Sequence, residues 1–130
     1  MFIKDVESLQ KFATEFAATL RAPCAVALYG GLGVGKTEFA RAVIRALGGQ
    51  NIVVPSPTFT IVQNYGNISH FDLYRVKSAA ELEEIGFFDA ISTDITLIEW
   101  PEIAEPFLPK NVIKIRLDIN GGGRELTLGQ

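Results

Sequence analysis

The sequence predicts an α/β domain whose central sheet is mixed and mostly parallel, with antiparallel hairpins and flanking helices. Three observations carry that expectation. A short apolar run, Ala25 to Tyr29, leads through a glycine-rich loop into a segment of helical period. A second apolar run, Ile95 to Ile98, ends on an acid, Glu99. The chain of 130 residues is long enough for one sheet-and-helix core and too short for a core with a separate lid, so a single domain over residues 1–130 is expected.

The elements follow in order. Val6, Leu9, Phe12, Ala13, Phe16, Ala17 and Leu20 recur on one helical face, with Asp5 as N-cap and Pro23 as terminator. After Ala25 to Tyr29 the chain reads Gly30-Gly31-Leu32-Gly33-Val34-Gly35-Lys36-Thr37, the GxxxxGK[ST] loop of Walker A type, and Phe39, Ala40, Val43, Ile44 and Leu47 continue as a helix. A P-loop NTPase-like domain is therefore expected. The glycines bring bare amides close to a polyanion, and the helix N-terminus adds unpaired N–H groups and a positive dipole end. Lys36 can reach the β and γ phosphates, and the Thr37 hydroxyl can ligate the magnesium that bridges them.

Gly48 and Gly49 stop this helix, and Ile52 to Val54 form a short apolar run. Pro55-Ser56-Pro57-Thr58-Phe59 is either a rigid turn or a hydroxyl-bearing loop that senses the γ-phosphate. Phe59 to Tyr65 and Ile68 to Tyr74 read as strands of a hairpin turned by Gly66-Asn67. On the second strand Phe71 and Leu73 face one way, His70 and Asp72 the other. On an exposed face His70 and Asp72 are simply solvated; beside a triphosphate Asp72 is placed to orient or deprotonate water, or to hold metal through water.

Ser78-Ala79-Ala80-Glu81 opens a helix that turns Leu82 and Ile85 inward and stops at Gly86. Its Glu81, Glu83 and Glu84 form a solvated face or a partner contact. Ile95 to Glu99 has the Walker B form, in which a buried strand delivers a carboxylate at its C-terminal end to the magnesium. Trp100 either packs in the core or lies beside nucleotide or partner. Val112 to Ile119 alternates, with Ile113, Ile115, Leu117 and Ile119 inward. Gly121-Gly122-Gly123 then turns the chain into a strand carrying Leu126 and Leu128. Arg124 is a surface charge or a clamp on the nucleotide.

Composition excludes several classes. Hydrophobic residues make up 48% and charged ones 21%, a globular balance. A net charge of −3 and a pI near 5.1 disfavour a protein that holds nucleic acid by its own field. Cys24 is the only cysteine, so neither an intrachain disulfide nor a cysteine-based zinc site can form, and a buried inert thiol is expected. Met1-Phe2-Ile3-Lys4-Asp5 lacks a signal pattern and no apolar run approaches roughly 20 residues, which points to a cytoplasmic protein without a membrane partner.

Taken together, Leu28 to Thr37, Ser56 to Thr60, His70-Phe71-Asp72-Leu73-Tyr74-Arg75, Glu81 to Gly86, Ile98-Glu99-Trp100-Pro101 and Gly123-Arg124-Glu125 resemble the TsaE family, formerly YjeE, of P-loop ATPases. The resemblance implies a magnesium-dependent ATPase, weak alone, required for threonylcarbamoyladenosine formation in tRNA. Its partners would be TsaB and TsaD, with tRNA reached only through that complex. It further implies that Thr37 and Glu99 hold magnesium. Gly30 and the stretch Gly33, Val34, Gly35, Lys36, Thr37 and Glu38 would wrap the phosphates of ATP. Arg124 and Trp100 would lie at the nucleotide, and Asp72, Glu99 and Lys36 would carry turnover. Two departures are visible: Gly31 stands where the family commonly has Asp, and Glu38 where it commonly has a second Thr.

The competing readings are distinguishable. A small P-loop kinase phosphorylating a metabolite needs a mobile lid and an acceptor pocket, and no arginine-rich lid segment is present. A guanine-nucleotide switch needs NKxD, which is absent, although Asp118-Ile119-Asn120-Gly121 fits DxxG. A nucleotide-binding subunit that hardly hydrolyses alone shades into the ATPase reading.

Overall fold

In the computed structural model, residues 1–48 and 61–129 are described. Ile52 to Val54, Ser56 to Thr60 and the start of the Phe59 strand lie outside them. Within the described residues the order is β1 (Phe2–Ile3), α1 (Val6–Ala17), β2 (Cys24–Tyr29), α2 (Lys36–Gly48), β3 (Val62–Tyr65), β4 (Ile68–Asp72), α3 (Ala79–Glu84), α4 (Phe87–Thr93) and β5 (Ile95–Glu99). A 3₁₀ segment (Pro101–Phe107), β6 (Ile113–Asn120) and β7 (Gly123–Gly129) follow.

The strands form one sheet ordered β1-β7-β6-β2-β5-β4-β3. β6, β2, β5 and β4 run parallel, while the β6–β7 and β3–β4 hairpins and the β1–β7 pair are antiparallel. The expected mixed sheet is therefore present, with its parallel strands at the centre. β2 is apolar throughout because both of its faces are covered, as central parallel strands require. Val26, Leu28, Leu97, Ile115 and Leu117 pack beneath α1 and α2, with Phe39, Val43 and Ile44 fully buried. Ala25, Ala27, Phe71 and Ile98 pack on the opposite face against Leu82, Phe87 and Ala104.

Local chemistry explains the element ends. Ser8 N donates to Asp5 Oδ1 at 2.8 Å, which caps α1. Glu81 N donates to Ser78 Oγ at 3.2 Å and opens α3. Gly66, with φ 68°, makes the β3–β4 turn, and Gly86, with φ 77°, separates α3 from α4. Cys24 is half-buried, and burial pushes its thiol above the ordinary range.

Several expectations need correction. α1 ends at Ala17, well before Pro23; Leu20 is buried outside the helix, and Val6 is exposed. Ile119 is also exposed, because it lies at the tip of the β6–β7 hairpin, opposite Arg124. β1, too short to show a period, docks Ile3 against Arg124 on the edge of β7.

His70 and Asp72 do face away from Phe71, but their face is not solvated. Like Ile68, they point to the side of the sheet that α1 and α2 cover, and His70 is only 3% exposed. The parallel register pairs Asp72 with Glu99 and Glu99 with Leu28, so β2, β4 and β5 finish level with one another. The loop after β2 therefore opens beside two carboxylates.

Gly30 shows how tightly that loop is seated. Its φ is +137°, and a Cβ there would overlap the Leu117 carbonyl oxygen and lie 2.8 Å from Val34 Cγ2. Gly30→Ala is expected to destabilise the protein by at least about 1–3 kcal/mol, the cost of such a backbone conformation for an L-residue. Calorimetry should show the melting temperature falling by several degrees. An unchanged melting temperature would mean that the loop can swing clear of β6.

Candidate functional site

The cleft of interest follows from strand polarity. Ligands of open α/β sheets sit beyond the carboxyl ends of the parallel strands, and a cleft of about 630 Å³ lies there. Its walls are the loop Leu32 to Thr37, Asp72, Glu99 and Trp100, closed by Ile3 to Val6, Arg41 and the turn Gly122 to Arg124. That volume suits a nucleotide-sized ligand.

The loop ends in Lys36 at the first position of α2, where unpaired helix N–H groups face the cleft. Gly33 and Gly35 have φ of 75° and 107°, angles that leave the loop curled around its own amides. Lys36 is 4% exposed. Its ammonium donates to the Gly30 carbonyl and sits 3.3 Å from the centroid of the Trp100 ring. Burial lowers its pKa, while the charges of Glu99, Glu102 and Asp72 pull it back up.

Glu99 is the centre of the polar network. It is 2% exposed at the end of β5, and its two oxygens are used separately. Thr37 Oγ1 donates to Oε1 at 2.8 Å, and His70 Nε2 donates to Oε2 at 2.7 Å. Asp72 lies on the neighbouring strand with Oδ1 accepting from Tyr74 N at 3.0 Å. Burial raises the Asp72 carboxyl above the ordinary range and the Glu99 charge adds to this. The Tyr74 N–H, His70 and Lys36 oppose them.

Arg124 occupies the far rim. Its Nε donates to Val34 O at 3.0 Å and its Nη2 to Gly33 O at 3.4 Å, so it ties the start of β7 to the loop. Glu38, in the first turn of α2, is 3.5 Å from Arg41 Nη1. Arg41 Nε is buried without a hydrogen-bond partner among the described residues. An orphaned donor, a desolvated ammonium and curled loop amides at one cleft form a donor set suited to phosphate oxygens.

The same cleft suits a hard divalent cation. Thr37 Oγ1 and Glu99 Oε1 are oxygen donors already in contact, and magnesium in phosphate sites takes one or two protein oxygens beside phosphate and water. Among the described residues no group of three or more His, Cys, Asp or Glu is placed to hold a metal.

Trp100 is the only non-glycine residue with positive φ among those described, at φ 55° and ψ 58°. This left-handed turn, followed by Pro101, brings its indole back over Lys36, and its ring lies 4.9 Å from that of Tyr74. Of the residues singled out from the sequence, Gly33, Val34, Gly35, Lys36, Thr37, Glu38, Asp72, Glu99, Trp100 and Arg124 line this cleft. Gly30 stands behind it as the acceptor for Lys36. Sequence reasoning placed His70 beside Asp72 but gave it no task, and it missed Arg41 and the Ile3 to Val6 wall. The parity of His70 with Ile68 and Asp72, on a strand covered on both sides, was the signal for the first.

The comparisons with known proteins identify the family and the fold. The family model "Threonylcarbamoyl adenosine biosynthesis protein TsaE" matches residues 3–126. A Rickettsia bellii protein named tRNA threonylcarbamoyladenosine biosynthesis protein TsaE is 44% identical, over 87% of this chain and 81% of its own length. A Haemophilus influenzae protein of the same name is 37% identical over 98% of this chain and 86% of its own. The crystal structure of Bacillus subtilis YdiB superposes with a TM-score of 0.78 at 27% identity, covering 98% of this chain and 82% of that one.

Proposed function

The chain belongs to the TsaE family, whose place is in tRNA threonylcarbamoyladenosine biosynthesis, and from that premise we propose that it is the ATP-hydrolysing accessory subunit of the pathway. In this reading residues 1–130 act as one P-loop ATPase domain, magnesium-dependent and weak alone, working in the cytoplasm with TsaB and TsaD. The partners handle tRNA, in keeping with a net charge of −3 on this chain. Among the described residues no helix is long and apolar enough to cross a membrane.

The observation that carries the reading is the Thr37–Glu99 hydrogen bond, 2.8 Å across 62 residues of sequence, with Lys36 and Asp72 beside it. Each group has a task that its surroundings support. Lys36, held only by a carbonyl and an aromatic face, is free to exchange both for the β and γ phosphates of ATP. Amides of Gly33 to Glu38 bind phosphate oxygens, and Arg124 keeps the loop in place through Gly33 and Val34. Thr37 and Glu99 would hold magnesium, whose chemistry there would be to offset charge developing on the phosphate oxygens.

Asp72 orients the attacking water and accepts its proton. A carboxyl raised by burial is a stronger base than a solvated one, and with Oδ1 engaged by Tyr74 N–H the remaining oxygen serves that role. Trp100 covers the lysine and restricts water at the phosphates.

The test is phosphate release from ATP and from GTP, with magnesium, for this chain alone and with cognate TsaB and TsaD. Slow ATP turnover that rises sharply with the partners is expected. No partner effect, or a preference for GTP, would overturn the reading.

A further inference from the structure

We propose that His70 is a positioning residue for Glu99, holding one carboxylate oxygen so that the other is presented to Thr37 and to magnesium. This rests on the ATPase reading above and assigns to it a residue that lies outside the phosphate loop. His70 and Glu99 are 3% and 2% exposed, and a buried carboxylate is tolerated only when both oxygens find donors.

The donors here are distinct and come from different elements. Thr37, on α2, gives its hydroxyl to Oε1 at 2.8 Å; His70, on β4, gives Nε2–H to Oε2 at 2.7 Å. Two donors on two oxygens fix the rotation of the carboxylate about its terminal bond, which a single donor leaves free. When Thr37 turns to a cation, the His70 bond is the one that remains.

His70 itself is held by its strand. β4 pairs with β5 in parallel, with His70 opposite Leu97 and Asp72 opposite Glu99, and with β3 on its other side, where Gln63 is opposite. The imidazole thus reaches diagonally to the end of β5 from a strand paired on both sides. Lys36 and Asp72 are among the charged side chains that line this cleft, and the Asp72 carboxylate has only acceptors to offer Glu99. Hydrogen-bond partners of this kind change metal affinity or activity by about 10–100-fold when removed.

A purely structural histidine would give a different result from a positioning one. The experiment uses the full chain and its single tryptophan, Trp100, whose ring lies against the Lys36 ammonium and whose emission therefore reports triphosphate engagement. ATP binding is titrated with magnesium for wild type, His70→Leu and His70→Gln, with melting temperatures measured in parallel. His70→Leu should raise the magnesium concentration for half-saturation by about 10–100-fold. His70→Gln, whose amide nitrogen can donate from nearly the position of Nε2, should restore it to within a few-fold of wild type.

Half-saturation unchanged in both variants would overturn the proposal, even if the melting temperature fell. Should His70→Leu not fold, His70→Asn takes its place, because its amide is polar but too short to reach Oε2. Equality of His70→Asn and wild type would then be the overturning result. A wild-type chain whose emission responds to ATP equally with and without magnesium would overturn the magnesium-dependent ATPase reading first, and this proposal with it.

Discussion

Lys36→Ala is expected to reduce ATP turnover by about 10²–10³-fold, the scale of losing one preorganised group that stabilises developing charge. The ammonium is almost wholly buried, and its two partners in the unliganded protein are a neutral carbonyl and an indole face. Neither compensates fully for lost hydration, which is why burial dominates the downward shift of its pKa. A triphosphate supplies the missing counter-charge, so the cost of holding the lysine ready is recovered on binding. The sign for stability follows. A lysine whose folded pKa lies below its usual value is disfavoured in its charged form, and at neutral pH that charge costs the unliganded fold stability. Lys36→Ala should therefore melt no lower than wild type without nucleotide, while losing the rise in melting temperature that ATP gives. Phosphate release and thermal melts with and without ATP check both halves. Unchanged turnover would remove Lys36 from the site.

Asp72→Asn should lower turnover by about 10²–10⁴-fold, the contribution of a positioned general base, while making the unliganded protein more stable at neutral pH. The Asp72 carboxyl is raised above the ordinary aspartate value of 3.8, first by burial and then by the Glu99 charge. The unfolded chain consequently gives up this proton first. Stability falls as pH rises from 3.8 through the folded pKa, and the deficit persists at neutral pH. Asparagine keeps the acceptor that receives the Tyr74 N–H and removes the charge. The expected pattern is a melting-temperature advantage for Asp72→Asn at pH 7 that narrows as the pH approaches 3.8. A variant that is both less stable and fully active would show Asp72 to be a turn residue alone.

Features written in local pattern were legible in the sequence. Gly30 to Thr37 declare a loop by residue type and spacing, Gly66-Asn67 declares a hairpin, and an apolar strand ending in Glu99 declares a buried strand that delivers a carboxylate at its C-terminal end. Other features depend on what covers each face, which alternation alone does not contain. His70 belongs to a strand covered on both sides, so its outward parity leads under α2 and not into water. Ile119 has core-like spacing but sits at the tip of the β6–β7 hairpin, where it is exposed. The wall formed by Ile3 to Val6 comes from a two-residue strand, too short for any period to register.

The strand order has a consequence for synthesis. β2 carries the phosphate loop, yet both of its neighbours, β5 and β6, are made long after it, and the arginine that braces the loop stands at position 124. A nascent chain that has released only β2 and α2 therefore owns the motif without its carboxylates or its floor. On the proposed function, competence to engage ATP would arrive late, with the β6–β7 hairpin, and shorter nascent chains would not yet hold nucleotide.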